Sequence, residues 1–217
     1  MSSLSSIRGS LITFEGGEGA GKSTQIATLC ARLASEGGLA TSDIVRVREP
    51  GGTTMGEGIR ELLKRPGTSI VPEAEVLLFA ACRAQLVAEV ITPALHAGKV
   101  VVCDRFADST TAYQGGGWGL DSAAVRSANR FACQGLQPSL TLLLDLPPQA
   151  GLSRASVRDA GTPDRLESLD LDFHQRVRAT YLALAASEPG RFLVLDAQLP
   201  ADALATAIWH EVLRRYS

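Results

Sequence analysis

Lysine is scarce in this 217-residue chain: Lys22, Lys64 and Lys99 stand against eighteen arginines. Excess positive charge is missing too, since 21 basic residues face 23 acidic ones for a net charge of −2. A chain that coats nucleic acid or an anionic membrane is usually basic, so neither partner is expected. Cysteines are few. Cys30, Cys82, Cys103 and Cys133 form no C-x-x-C pair, and His96, His174 and His210 are far apart. A zinc site or a disulfide framework is therefore not expected, and small buried thiols are. No apolar run approaches the ~18 residues of a membrane span. The polar, Ser-rich stretch Met1–Arg8 is too short for a signal peptide. These absences predict a cytoplasmic protein. No repeat, low-complexity tract or linker interrupts the chain. With 45% hydrophobic and 20% charged residues in 22.9 kDa, it reads as a single domain, 1–217, that buries a core.

Five short β-rich apolar runs stand out: Leu11–Phe14, Ile44–Val47, Val100–Cys103, Leu140–Leu144 and Phe192–Leu195. Helical patterns lie between them, over residues 22–36, 73–97, 122–134, 147–158, 168–187 and 201–215. Gly37-Gly38 reads as the end of the first, Pro93 as a late kink in the second and Gly98 as its stop. Alternating strands and helices predict an α/β fold with a parallel sheet covered on both faces. Ligands of such sheets bind beyond the carboxyl ends of the strands.

The residues after the first strand fit that placement. Gly16-Gly17-Glu18-Gly19-Ala20-Gly21-Lys22-Ser23 satisfies G-x-x-x-x-G-K-[ST], between a strand and a helix as the motif requires, with Thr24 next. Glycines let backbone N–H groups converge on phosphate oxygens at the positive end of the following helix. Lys22 reaches the β- and γ-phosphates in such a loop, and the Ser23 hydroxyl ligates Mg²⁺. The third strand runs into Asp104-Arg105, where an acid suits Mg²⁺ and an arginine suits a phosphate; a surface ion pair is the other reading. The second strand runs into Arg48-Glu49-Pro50-Gly51-Gly52-Thr53, which brings another arginine to the same rim. Residues 154–165 hold Arg154, Arg158 and Arg165, the first two on one helix face. With the break at Asp159–Pro163, this segment is either a lid that brings arginines onto phosphates or a solvated basic face. Spacing alone leaves both open.

Taken together and in order, these pieces resemble the thymidylate kinase family, P-loop enzymes that phosphorylate dTMP. The pieces are Glu15-Gly16 through Thr24, Arg48–Thr53, Leu78-Phe79-Ala80-Ala81-Cys82-Arg83, Asp104-Arg105, Ser109-Thr110-Thr111-Ala112-Tyr113-Gln114-Gly115 and the arginine-rich segment, and the resemblance covers residues 10–197. The phosphate loop is shared by many nucleotide-binding families; the second and fifth pieces are far more specific.

The resemblance implies a P-loop NTPase-type three-layer sandwich with a five-stranded parallel sheet. It implies a loop over 16–24, a lid over about 153–167, ATP as phosphoryl donor, Mg²⁺ held by Ser23 and Asp104, and a homodimer in the cytoplasm. It also implies roles for single residues. Phe79 stacks on thymine, Arg83 donates to its O4, and Thr110 reads N3. Tyr113 packs against the deoxyribose, Arg48 and Arg105 clamp the monophosphate, Glu18 lies near the acceptor sugar and phosphate, and Gln114 belongs to the same substrate-binding set. Some members carry an arginine in the phosphate loop, but here Gly19 stands there. That points to the class whose lid arginines supply the charge, with Arg158 first and Arg154 and Arg165 in support, beside Lys22 and Arg105. The implied reaction is transfer of the γ-phosphoryl group of ATP to dTMP, giving dTDP and ADP on the way to dTTP. Three other readings remain: a kinase for another nucleoside or its monophosphate; a nucleotide-hydrolysing switch, against which the absence of an N-K-x-D motif argues; and a non-catalytic binding module, against which the complete phosphate-loop set argues.

Overall fold

The computed structural model describes residues 4–158 and 164–217. Its sheet has five parallel strands: β1 (Leu11–Glu15), β2 (Ile44–Arg48), β3 (Val100–Asp104), β4 (Leu140–Asp145) and β5 (Phe192–Asp196), in the order β2-β3-β1-β4-β5. Each strand continues one residue past the apolar run that predicts it. Backbone pairing is indifferent to side-chain polarity, so the ladder extends through Glu15, Arg48, Asp104, Asp145 and Asp196. Arg48 and Asp104, the last residues of β2 and β3, pair with each other, and Asp104 also pairs with Phe14, one residue before the end of β1.

Side-chain alternation builds the layers. Ile12, Phe14, Val100, Val102, Leu140, Leu142 and Leu144 pack on one face against α1 (Lys22–Ser35) and, through Ile208, Trp209 and Val212, against α9 (Ala201–Tyr216). Leu11, Val101 and Cys103 pack on the other face. There they meet Leu86, Val87, Ile91 and Cys133, from α3 (Pro72–Leu86), the helical turns that follow it and α6 (Ser122–Cys133). Leu143 and Phe192 meet α8 (Leu171–Ser187) through Phe173, Val177 and Tyr181. The result is the three-layer α/β arrangement.

The predicted 73–97 helix is α3, a wide π-type turn at Val87–Ile91 and α4 (Thr92–His96). Pro93 cannot donate a backbone hydrogen bond, and the widened turn lies directly ahead of it. Two helical segments escape sequence reasoning. One is α2 (Thr54–Lys64), capped by Thr53, whose hydroxyl accepts from Gly56 N at 3.0 Å. Gly56 and Gly58, in its first turns, are poor helix formers and mask it. The other is α5 (Ala107–Thr110), continued by a π-type turn at Thr111–Gly117. Three consecutive glycines hide that turn, yet they have a packing reason: a Cβ on Gly116 would lie 1.9 Å from the Thr180 hydroxyl of α8. The remaining helix, α7 (Pro148–Arg158), follows β4.

Candidate active site

A cleft of about 510 Å³ opens at the carboxyl ends of β1, β2 and β3, within the size range of small-molecule sites. The phosphate loop forms one side of it. Gly16 has φ +134°, and a Cβ there would lie 2.3 Å from the Leu144 carbonyl oxygen, so only glycine lets the chain leave β1 this close to β4. The Lys22 ammonium donates back to the carbonyls of Gly16 and Gly17 at 3.0 and 2.7 Å. The Ser23 hydroxyl donates to Asp104 Oδ2 at 3.4 Å, so two hard oxygen donors meet beside the lysine. Glu18 through Thr24 line the cleft.

Arg105 sits at the centre. Its φ of +67° is unusual for a residue with a side chain and stores backbone strain of about 1–3 kcal/mol. Six contacts hold it there. Its guanidinium donates to Glu18 Oε1 at 2.8 Å, to the hydroxyls of Tyr113, Ser109 and Tyr181 at 3.1, 3.3 and 3.3 Å, and to the Gly16 carbonyl at 3.1 Å, and it lies 5.0 Å over the Tyr113 ring. Burial pushes the Glu18 carboxyl up, but Arg105 and Lys22 outweigh it and hold it at about 2. Burial, with Arg105 beside it, pulls Lys22 down to about 8.

Behind Arg105 lies an acid that sequence reasoning left unassigned. Glu15 ends β1 and accepts from Phe106 N at 2.7 Å, Ser109 Oγ at 2.6 Å and Tyr181 OH at 2.9 Å. Burial first, and then the nearby Asp108, raise its carboxyl to about 7. Tyr181 reaches this point from α8, and no local pattern in the sequence marks it.

Phe79, Thr110, Tyr113 and Gln114 also line the cleft. Tyr113 donates to Glu18 Oε1 at 2.8 Å, which joins this group to the phosphate loop. Arg48 stands at the rim with both oxygens of Glu57 at 2.9–3.0 Å. Arg60 lines the same rim and donates to the Pro50 carbonyl at 2.9 Å. Sequence reasoning missed Arg60 because it missed α2; an Arg on a helix beginning at Thr54 was the available signal.

Two residues expected at the substrate do not line the cleft. Arg83 does not face the cleft. It is 0% exposed and donates to Glu49 at 2.7–3.2 Å, Asn129 Oδ1 at 2.8 Å, the Phe106 carbonyl at 3.2 Å and Thr110 Oγ1 at 2.9 Å. It supports Thr110 and Glu49 from beneath, because a fully buried guanidinium must find acceptors for its donors. Arg165 also turns away from the cleft, donating to Glu75 and to the Leu63 carbonyl, the latter at 2.9 Å. Arg154 does line the cleft, but it donates to the Ala197 carbonyl at 3.0 Å. Arg158 is the last residue of α7; its side chain, like Asp159–Pro163, lies outside the described residues.

Four free thiols, Cys30, Cys82, Cys103 and Cys133, are present. Among the described residues no helix is long and apolar enough to cross a membrane.

A family model described as thymidylate kinase matches residues 14–208. The thymidylate kinase of Deinococcus radiodurans is 52% identical over 208 residues, covering 96% of this chain and 98% of that one. That of Solidesulfovibrio magneticus is 52% identical over 204 residues, covering 91% and 96%. A crystal structure of thymidylate kinase from Ehrlichia chaffeensis superposes with a TM-score of 0.74 at 31% identity, covering 94% of this chain and 98% of that one.

Proposed function

This chain belongs to the thymidylate kinase family, ATP-dependent kinases of a nucleoside monophosphate, and on that premise we propose how its cleft moves the γ-phosphoryl group of ATP to dTMP. The observation that carries the reading is one continuous cleft. It is lined by the phosphate loop, by Arg105 and by Phe79, Thr110 and Gln114, which we take as its base end. The loop N–H groups and Lys22 bind the donor phosphates. Phe79 stacks on thymine, with Thr110 and Gln114 at the edge of the ring. Tyr113 packs against the sugar, where its bulk leaves little room for a 2′-hydroxyl. Arg105, with Arg48 and Arg60 at the rim, holds the acceptor monophosphate.

That monophosphate has a second pKa of about 6 and is largely dianionic near neutrality. Little help from a base is needed, and Glu18, ionised beside Arg105, fits an orienting role better than a proton-accepting one. The work of the chain is to bring two polyanions into line and hold them there. A closing segment over 153–167 delivers Arg158 to the transferring group and excludes water. Ser23 and Asp104, two oxygen ligands with no third acid beside them among the described residues, suit a Mg²⁺ that keeps several waters. When bound, that ion offsets charge on the β- and γ-phosphate oxygens.

The deciding experiment is ADP formation from ATP and Mg²⁺ with dTMP, dUMP, dCMP, dGMP, UMP or no acceptor. Strong dependence on dTMP is expected. Preference for another acceptor overturns the base-end reading, and acceptor-independent hydrolysis overturns transfer itself.

The lowered Lys22 ammonium gives a pH dependence. In the free enzyme Lys22 loses its charge as pH rises through about 8. The kcat/KM for ATP is therefore expected to fall above that pH. The kcat, which reports the complex, should hold to higher pH because bound phosphates favour the charged form. A kcat/KM profile flat to a pH of about 10, the ordinary lysine range, contradicts this.

We also propose a homodimer. Phe131 on α6 and Leu77 on α3, two helices packed against each other, are 86% and 65% exposed. Light scattering at the 22.9 kDa of one chain would sink it. One sheet and one cleft support a single kinase domain, and unpaired thiols with ATP as donor suit the cytoplasm.

A further inference from the structure

Glu75 lies in the first turn of α3, wholly buried, and receives donors from two distant segments. Its Oε1 accepts from Gln114 Nε2 at 2.6 Å and Trp118 Nε1 at 3.1 Å, and its Oε2 accepts from Arg165. We propose that Glu75 is a positioning residue that sets the direction of the Gln114 amide in the base end of the cleft and anchors the 164–167 turn beside that amide.

The direction follows from the chemistry of the pair. A carboxylate only accepts, so Gln114 must turn its NH₂ toward Glu75 and its carbonyl oxygen the other way. Gln114 lines the cleft beside Phe79 and Thr110, so that carbonyl is an acceptor presented there. Thymine carries a donor, N3–H, between its two ring carbonyls. Cytosine carries an unprotonated N3 at that position and would set acceptor against acceptor, leaving polar groups unpaired. The orientation of this amide therefore adds to the rejection of cytosine.

The second arm is Arg165. It also donates to the Leu63 carbonyl at 2.9 Å, and its neighbour Asp164 pairs with Lys64 at 2.6 Å and caps the N–H groups of Leu166 and Glu167 at 3.0 Å. Leu166 and Glu167 line the cleft. One carboxylate therefore holds both the reading group and the turn beside it. An amide at position 75 offers a single acceptor oxygen to three donors, and Gln114 would be free to turn over.

The inference rests on the base-end reading, and the test separates the two. Steady-state kinetics with dTMP and dCMP are measured for Glu75→Gln, Glu75→Asp, Arg165→Met and Phe79→Ala, each with its melting temperature. Glu75→Gln is expected to lower the ratio of kcat/KM for dTMP over dCMP by about tenfold, through a higher KM for dTMP with the KM for ATP unchanged. Glu75→Asp, which keeps the charge but withdraws it, is expected to lower the ratio as well and serves if the glutamine variant does not fold. Arg165→Met is expected to raise the KM for dTMP and leave the ratio intact. A ratio unchanged within twofold in a folded Glu75 variant makes Glu75 structural only and overturns the proposal. If Phe79→Ala leaves the KM for dTMP unchanged, the base-end reading fails instead.

Discussion

Arg158→Ala is expected to lower kcat by about a thousandfold, with the KM values for ATP and dTMP within a few-fold of the parent. Three arginines in the 154–165 segment have the charge for the task. Arg154 is committed to the Ala197 carbonyl and Arg165 to Glu75 and the Leu63 carbonyl. Arg158 ends α7 within the segment expected to close. An arginine that meets the transferring group only as charge spreads over its oxygens stabilises the transition state more than either ground state. Its loss then appears in kcat and not in binding. Single-turnover kinetics at saturating ATP and dTMP measure this directly. Turnover within tenfold of the parent would remove Arg158 from the role and return attention to Arg154.

Arg105→Ala is expected to have the other large effect, on two observables together. The kcat/KM for dTMP should drop by about a thousandfold, because the guanidinium at the centre of the cleft is the donor best placed for the acceptor phosphate. The fold should also weaken, by about 3–5 kcal/mol, because Glu18 and the hydroxyl groups around Arg105 lose their shared partner in a buried site. Relief of the strain at φ +67° offsets part of that cost. Adding Glu18→Gln to Arg105→Ala should restore some stability and none of the activity. Lysine at 105 should not substitute, since one ammonium cannot reach Glu18, Ser109, Tyr113 and Tyr181 at once. Near-parent kcat/KM in a folded Arg105→Ala protein would contradict the clamp.

The legible parts of this protein share a physical trait: their signals are local. A strand advertises itself by a short β-branched or leucine run. The phosphate loop does so by glycines that the backbone needs and by a lysine and serine whose spacing the phosphates require. The parts that were not legible depend on distance. The family resemblance made Arg83 a base-contacting donor one helical turn after Phe79. Its fate was set by Glu49, Asn129 and Thr110, which converge on it from three other segments. Arg165 looked like a catalytic arginine because of its neighbours in sequence, and Glu75, ninety residues earlier, turned it away. Glycine-rich helical turns at 54–58 and 111–117 were silent for another reason. Gly56, Gly116 and Gly117 answer to close contacts, and all the glycines there weaken the propensity signal that would announce a helix.

By itself the sequence determined the α/β class, the five strands, the phosphate loop at the end of the first and the set of acids and arginines gathered at the carboxyl edge. Hydrophobic period and turn chemistry are written residue by residue. The tertiary structure alone decided which of those charges face the cleft. Burial makes every guanidinium and carboxylate find a partner, and the nearest partner in space belongs to another segment of the chain. That is why Arg105 lines the cleft, held there by Glu18 and the tyrosines, while Arg83 and Arg165 are paired away from it.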